Sequence, residues 1–202
     1  MEIEVFLPDI FSDLAFYLCD IDLFHLSLTS KDQNNLVYHL TSIDGSFSGN
    51  LKQYRKLICL TLTNDSNIHD ILYLTNLKDL SLVKNCTIQD ISTLTALTSL
   101  SLIHDEAISN ISALTNLTSL KTSRNQRIVD ISNLTNLTQL YLNYNKVSIN
   151  ISNLNQLTYL SLYNASGVTD ISYLTNLKTV VIDNEDMNRC ILPKHEMEII
   201  DV

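Results

Sequence analysis

The sequence predicts an α/β chain in which a small helical module precedes a wound repeat, and three features of the chain predict it. Asp or Asn followed by Ile recurs at 70–71, 90–91, 110–111, 130–131, 150–151 and 170–171, a 20-residue period without an insertion. Within each period the apolar spacing changes. In DISNLTNLTQLYLNYNK (130–146), Ile131, Leu134 and Leu137 stand three apart, whereas Leu140 and Leu142 stand two apart, the spacing of a strand. Ahead of the repeats, Leu7, Ile10, Leu14 and Leu18 instead follow helical spacing. A fixed period of this length outranks local readings, because one such unit cannot bury its own apolar edge and must stack on its neighbours.

Residues 1–47 are expected to hold three helices. Pro8 suits the opening turn of the first. The second covers about Ile21 to Leu28, and Ser30 caps a third that reaches about His39. Leu7-Pro8, Ile10, Leu14, Leu18, Asp22-Leu23, Leu26-Ser27, Ser30-Lys31 and Leu36 together resemble the F-box family. Gln33 stands where that family commonly has an aromatic residue. The resemblance implies docking on a Skp-type adaptor of a cullin-RING ubiquitin ligase through Leu7, Pro8, Ile10, Leu14, Leu18, Leu23 and Leu26. The alternative is a plain helical cap over the open end of the first repeat, which any solenoid needs.

Residues 48–187 read as seven turns. An eroded first turn shows as Asn50, Leu51, Tyr54, Leu57, Leu60 and Leu62, and from Ile68 the unit I-x-D-I-S-x-L-T-N-L-x-x-L-x-L-x-x-N returns through Val168. The columns 77 to 177, 80 to 180 and 82 to 182 are apolar except at Thr122. This pattern fits a strand at L-x-L, a corner and a compact return segment, repeated so that stacked turns share one core. With only 3 Gly and 2 Pro in 202 residues, the corners must come from Asn, Asp, Ser and Thr, whose side chains bond the nearby backbone.

The motif L-x-x-L-x-L-x-x-N, Leu137 to Asn145, resembles the leucine-rich repeat family, and the return D-I-S-x-L-T-N-L resembles its internalin type. The resemblance implies a leucine-rich-repeat solenoid with a parallel β-sheet on the concave face and short three-ten or irregular turns on the convex side. It also implies an internal asparagine ladder at Asn85, Asp105, Asn125 and Asn145, expected to loosen where Ala165 and Glu185 depart from it. The column of Asp70, Asp90, Asp130 and Asp170 could suggest a metal. Asn110 and Asn150 fill the same position, so the column reads as caps for the turn that follows, and no metal or cofactor is expected.

Residues 188–202 break the repeat and read as a C-terminal cap, with Ile191, Leu192, Met197, Ile199 and Ile200 shielding the last turn. A net charge of −9 disfavours nucleic acid and anionic membranes as partners. The N-terminus MEIEVFLPDIF lacks the pattern of a signal peptide, and no apolar run is long enough to span a bilayer. The expectation is a cytoplasmic chain, of a host cell if a virus encodes it; a composition rich in Asn, Ile, Leu and Thr hints at an AT-rich genome, of a large virus or a protist. Cys19, Cys59, Cys86 and Cys190 share no metal-site spacing and read as free thiols.

On strands of period two, Leu140 and Leu142 point inward, which leaves Gln139, Tyr141 and Asn143 on the open face. The same offset places Asp79, Ser81 and Val83, Ser99, Ser101 and Ile103, Ser119, Lys121 and Ser123, and Tyr159, Ser161 and Tyr163 there. Four of the nine tyrosines, Tyr141, Tyr144, Tyr159 and Tyr163, fall on or beside this face in two adjacent turns, flanked by Lys121 and Arg124. Rigid aromatics with a hydroxyl handle dominate binding energy at interfaces, so these six residues are the candidate contact surface for a protein partner. The plainer alternative is that Tyr favours strands. The histidines are scattered, and no nucleophile or phosphate-cradling motif is present, so an enzyme is not expected. The F-box followed by leucine-rich repeats implies a substrate receptor of a Skp-cullin-F-box type ligase, with a free-standing scaffold as the alternative.

Overall fold

The computed structural model describes residues 38–43, 57–63, 68–105 and 107–201. The expected adaptor contacts Leu7, Pro8, Ile10, Leu14, Leu18, Leu23 and Leu26 therefore lie outside the described residues. Among the described residues, nine strands form one parallel sheet in chain order: β1 (Tyr38–Ile43), β2 (Leu57–Thr63), β3 (Asp79–Val83), β4 (Ser99–Ile103), β5 (Ser119–Ser123), β6 (Gln139–Tyr141), β7 (Tyr159–Ser161), β8 (Thr179–Ile182) and β9 (Glu198–Asp201). From β2 to β8 the register equals the repeat, with Leu60 beside Leu80, Leu100, Leu120, Leu140, Leu160 and Val180. Because side chains alternate along a strand, this register stacks every inward leucine on its equivalent, and a slip of one residue would turn the whole column outward.

The core is correspondingly repetitive. Leu77, Leu97, Leu117, Leu137, Leu157 and Leu177 are fully buried, as are Ile71 to Ile171 and Leu74 to Leu174 at the same interval. Each such side chain contributes on the order of 1.5–3 kcal/mol. Two consecutive turns make the convex return: the Leu74 N–H donates to the Ile71 carbonyl (2.9 Å) and the Leu77 N–H to that of Leu74 (3.0 Å), and the pair recurs through Leu174 and Leu177. At the return's end, Thr98, Thr118, Thr138 and Thr158 each donate both N–H and hydroxyl to the carbonyl one turn earlier. Asn116, Asn136 and Asn176 add side-chain amide bonds of 2.7–2.9 Å to the preceding turn, an outer ladder along the convex side.

Four expectations are corrected. Residues 38 and 39, assigned above to the end of a third helix, belong to β1, which pairs in parallel with β2 and satisfies its otherwise open edge. In the cap, Leu192 and Met197 do pack on the core, but Ile191 is 59% exposed and Ile199 and Ile200 stand exposed on β9, the outermost strand. A short peripheral strand presents both faces to solvent, so period-two alternation could not bury either isoleucine. The repeat also slips once: in Asn145-Lys-Val-Ser-Ile-Asn150 the buried residue is Ile149 rather than the one at 148. The displaced corner brings Val147 against Gly167, where a side-chain carbon would lie 1.9 Å from the Val147 carbonyl oxygen. Finally, Ser161 is buried at 3% exposure although it faces the sheet's open side.

Candidate functional site

The concave face takes its shape from the corner that follows each strand. Lys84, His104, Arg124, Tyr144 and Asn164 all adopt left-handed backbone with φ of 52–60°, and in each turn the next residue plunges into the core. Those next residues are Asn85, Asp105, Asn125, Asn145 and Ala165. The Asn85 Oδ1 accepts from the N–H groups of Thr87 and Ile88, and Asp105 and Asn125 repeat this with the residues two and three places on. Asn85 also donates 2.7 Å to the Asp105 Oδ2 in the next turn. Burial pushes the Asp105 carboxyl above its usual range, with its hydrogen bonds pulling the other way.

Asn145 behaves differently because its corner has slipped. Its amide donates 2.8 Å to both the carbonyl and the hydroxyl of Thr122, the polar atom in the leucine column. Past Ala165 the ladder does not loosen but changes hands. Asp183 caps the helical turn α1 (Asn184–Met187), accepting the Asp186 N–H at 2.8 Å, and the buried Asp186 reaches back to accept the Ala165 N–H at 2.7 Å. Arg189 pairs with Asp186. Glu185, the residue in the aligned column, is exposed, since a helical turn shifts the inward position by one.

The capping column is uniform. Asp70, Asp90, Asn110, Asp130, Asn150 and Asp170 each accept the N–H two residues on at 2.8–3.0 Å. Bonds from Ser92, Ser132 and Ser172 hold Asp90, Asp130 and Asp170 below the usual carboxyl range. Asn and Asp act alike here because only one acceptor oxygen is used.

The tyrosines form two pairs. Tyr141 lies opposite Ser161 and Gln139 opposite Tyr159 in the register, so Tyr141 and Tyr159 meet diagonally, ring centroids 4.9 Å apart. Tyr144, turned up by its left-handed backbone, meets Tyr163 edge-on at 5.2 Å. The Arg124 guanidinium sits 4.7 Å over Tyr144 and the Lys121 ammonium 6.0 Å over Tyr141. Burial raises the Tyr159 hydroxyl, and a hydrogen bond with Tyr144 raises that of Tyr163. The four rings are half-buried, while Lys121 and Arg124 are exposed.

Asn143 joins the pairs; the sequence placed it on the open face but not among the six candidate contacts. Its Oδ1 accepts the Ser161 hydroxyl at 2.7 Å and the Tyr163 N–H at 3.2 Å, which buries Ser161 and takes the place of a main-chain acceptor. Regular strand accordingly stops at Tyr141 and Ser161, two residues earlier than the equivalents in β3 to β5. Asn143, Ser161, Tyr163 and Val181 line a shallow depression beside the rings. Gln126 fixes the Tyr144 corner from behind, donating to the Tyr144 carbonyl at 3.1 Å. The only sequence signal for these residues is an amide at a strand position that is Val, Ile or Ser in the three preceding turns.

Among the described residues no group of three potential metal ligands converges, and no helix is long and apolar enough to cross a membrane. The Cys190 thiol is pushed up to about 11 by burial and by Asp170 and Asp186, which makes it a poor nucleophile at neutral pH.

No protein-family model and no curated protein matches the chain. Among solved structures it is similar to internalin C2 of Listeria monocytogenes, with a TM-score of 0.54 and 29% identity over 74% of this chain and 72% of that one. Internalin InlF of the same bacterium gives 0.53 and 23% over 90% of this chain and 58% of that one. A leucine-rich-repeat protein of Leptospira interrogans gives 0.53 and 20% over 79% and 54%. The chain spans little more than half the length of the last two. With its parallel sheet and 20-residue register, the fold is a leucine-rich-repeat solenoid of the internalin-like kind.

Proposed function

We propose that the chain is a protein–protein interaction scaffold whose docking site is the concave face of the sixth and seventh strands. The observation that carries this is the placement of two tyrosine pairs, each with a cation over one ring, on a sheet face whose other residues are mostly small and polar. Held rings lose little freedom when a partner covers them, and stacked cations keep their outward N–H groups for it. Replacing Tyr141 and Tyr163 by Ser should abolish retrieval of the protein that the intact chain captures from cell extract, at roughly 2 kcal/mol or more per anchor. Circular dichroism should stay unchanged, since both rings lie outside the leucine core. Undiminished capture would move the site elsewhere, and unfolding would make the rings structural.

The finer reading is that residues 1–47, which resemble an F-box, bind a Skp-type adaptor in the cytoplasm, so that the captured protein is presented to a ubiquitin ligase. The order of modules supports this reading, and it implies a binding rather than a catalytic role.

A further inference from the structure

The five left-handed corner residues occupy one column, and the N–H groups of the first four donate to the carbonyl of the neighbouring turn at 2.8–3.1 Å. Their side chains therefore form a row along one edge of the concave face, one strand spacing of about 4.8 Å apart. The row begins with Lys84, His104 and Arg124, all exposed, and among the described residues none of them is paired with a carboxylate. It continues into the Tyr144–Tyr163 pair and ends near Asp183, whose charge acts on Tyr163. In a chain with 22 acidic residues against 13 Lys and Arg, the two cations Lys84 and Arg124 on one short row make a local field opposite to that of the whole molecule.

We propose that this row docks an acidic, extended segment of a partner protein, with carboxylates over Lys84 and Arg124 and an apolar or aromatic side chain against Tyr144 and Tyr163. The proposal rests on the concave-face reading above and specifies the partner's chemistry. Lys84 and Arg124 are two strand spacings apart, about 10 Å. A polyproline II segment rises about 3.1 Å per residue with three residues per turn, so acidic side chains three apart lie on one side at almost that distance. The guanidinium held over Tyr144 offers its remaining N–H groups to a carboxylate in fixed geometry. Asp183 sets the direction, because it repels a carboxylate at the far end of the row. A nucleic-acid backbone matches the row's charge but meets repulsion from the remainder of a chain of net charge −9.

The test uses the full chain and a fluorescein-labelled peptide with two glutamates three apart, prolines between them and a phenylalanine after the second. Anisotropy should show binding that weakens between about 50 and about 200 mM salt, as screening of a surface contact requires. A peptide with lysines for the glutamates should bind at least tenfold more weakly, and Lys84→Glu with Arg124→Glu should cost tenfold or more without changing circular dichroism. Absence of binding, equal binding of the lysine peptide, indifference to the charge reversal, or tighter binding of a single-stranded oligonucleotide each overturns the proposal. If Tyr141→Ser with Tyr163→Ser abolishes capture from extract while the charge-reversed chain captures fully, the docking face stands and the acidic segment does not.

Discussion

Asp105 shows how much one atom matters in a repeat. It takes the place of an asparagine among buried rungs, and its second oxygen accepts the Asn85 amide, so these two rungs are joined directly to each other. The cost is a buried charge, which raises its pKa. Between the usual carboxyl value and that raised value the folded chain holds a proton the unfolded chain has released, so stability falls as pH rises through this window, and the loss is complete above it. Asp90, Asp130 and Asp170 run the opposite way, since their lowered pKa values give stability that is lost only as pH falls through them. Asp105→Asn removes only the first contribution. In urea melts from about pH 3 to about pH 8, the stability of the variant relative to the parent should climb above the usual carboxyl pKa and then level off. A difference that stays constant across the range would mean that the carboxyl is not titrating in the fold.

At the scale of elements, the strands were legible because the period-two apolar spacing, broken only at Thr122, and the 20-residue period recur in six successive turns, and alternation alone put Tyr141 and Tyr159 on the open face. The pairing of Tyr144 with Tyr163 was hidden. It depends on positive φ at a non-glycine residue, for which Lys, His, Arg, Tyr and Asn share no side-chain property. The handover from Ala165 to Asp186 was equally hidden, because a single helical turn shifted the inward position away from Glu185. Ser148-Ile149 was legible as letters but not as a slip, since the buried residue moves by one place while the flanking columns stay in register. That slip has a measurable consequence at Gly167, where a Cβ would lie 1.9 Å from the Val147 carbonyl oxygen. Gly167→Ala must push the Val147 carbonyl away, and forced overpacking of this kind costs roughly 1–3 kcal/mol. The urea midpoint should drop accordingly, whereas Ser166→Ala, at an exposed position in the same corner, should leave it in place. Equal midpoints for Gly167→Ala and the parent would show that the two corners do not touch.

For the whole molecule, the sheet runs without interruption from β1 to β9, so each end of the leucine core needs a cover. At the C-terminal end Leu192 and Met197 supply part of it, and β9 closes the sheet. At the N-terminal end β1 already pairs with β2. β1 (Tyr38–Ile43) belongs to residues 1–47, so the end of that segment covers the first repeat whatever the residues ahead of it do. Leu7-Pro8 and the apolar residues that follow lie outside the described residues, so the cap and F-box readings are separated by binding rather than by the fold. If residues 1–47 bind a Skp-type adaptor, the intact chain should copurify with a eukaryotic Skp-type protein when the two are coexpressed. Leu7→Ala with Pro8→Ala should weaken the complex about tenfold or more, the range expected for truncating an interface anchor. Tyr141→Ser with Tyr163→Ser should not affect it, because the concave face and the N-terminal module would serve different partners. Two measurements separate the readings: calorimetric titration with the adaptor, and circular dichroism of the repeats. A chain that keeps its folded signal but releases no heat on titration would be a free-standing scaffold, whose captured protein is held rather than passed to a ligase.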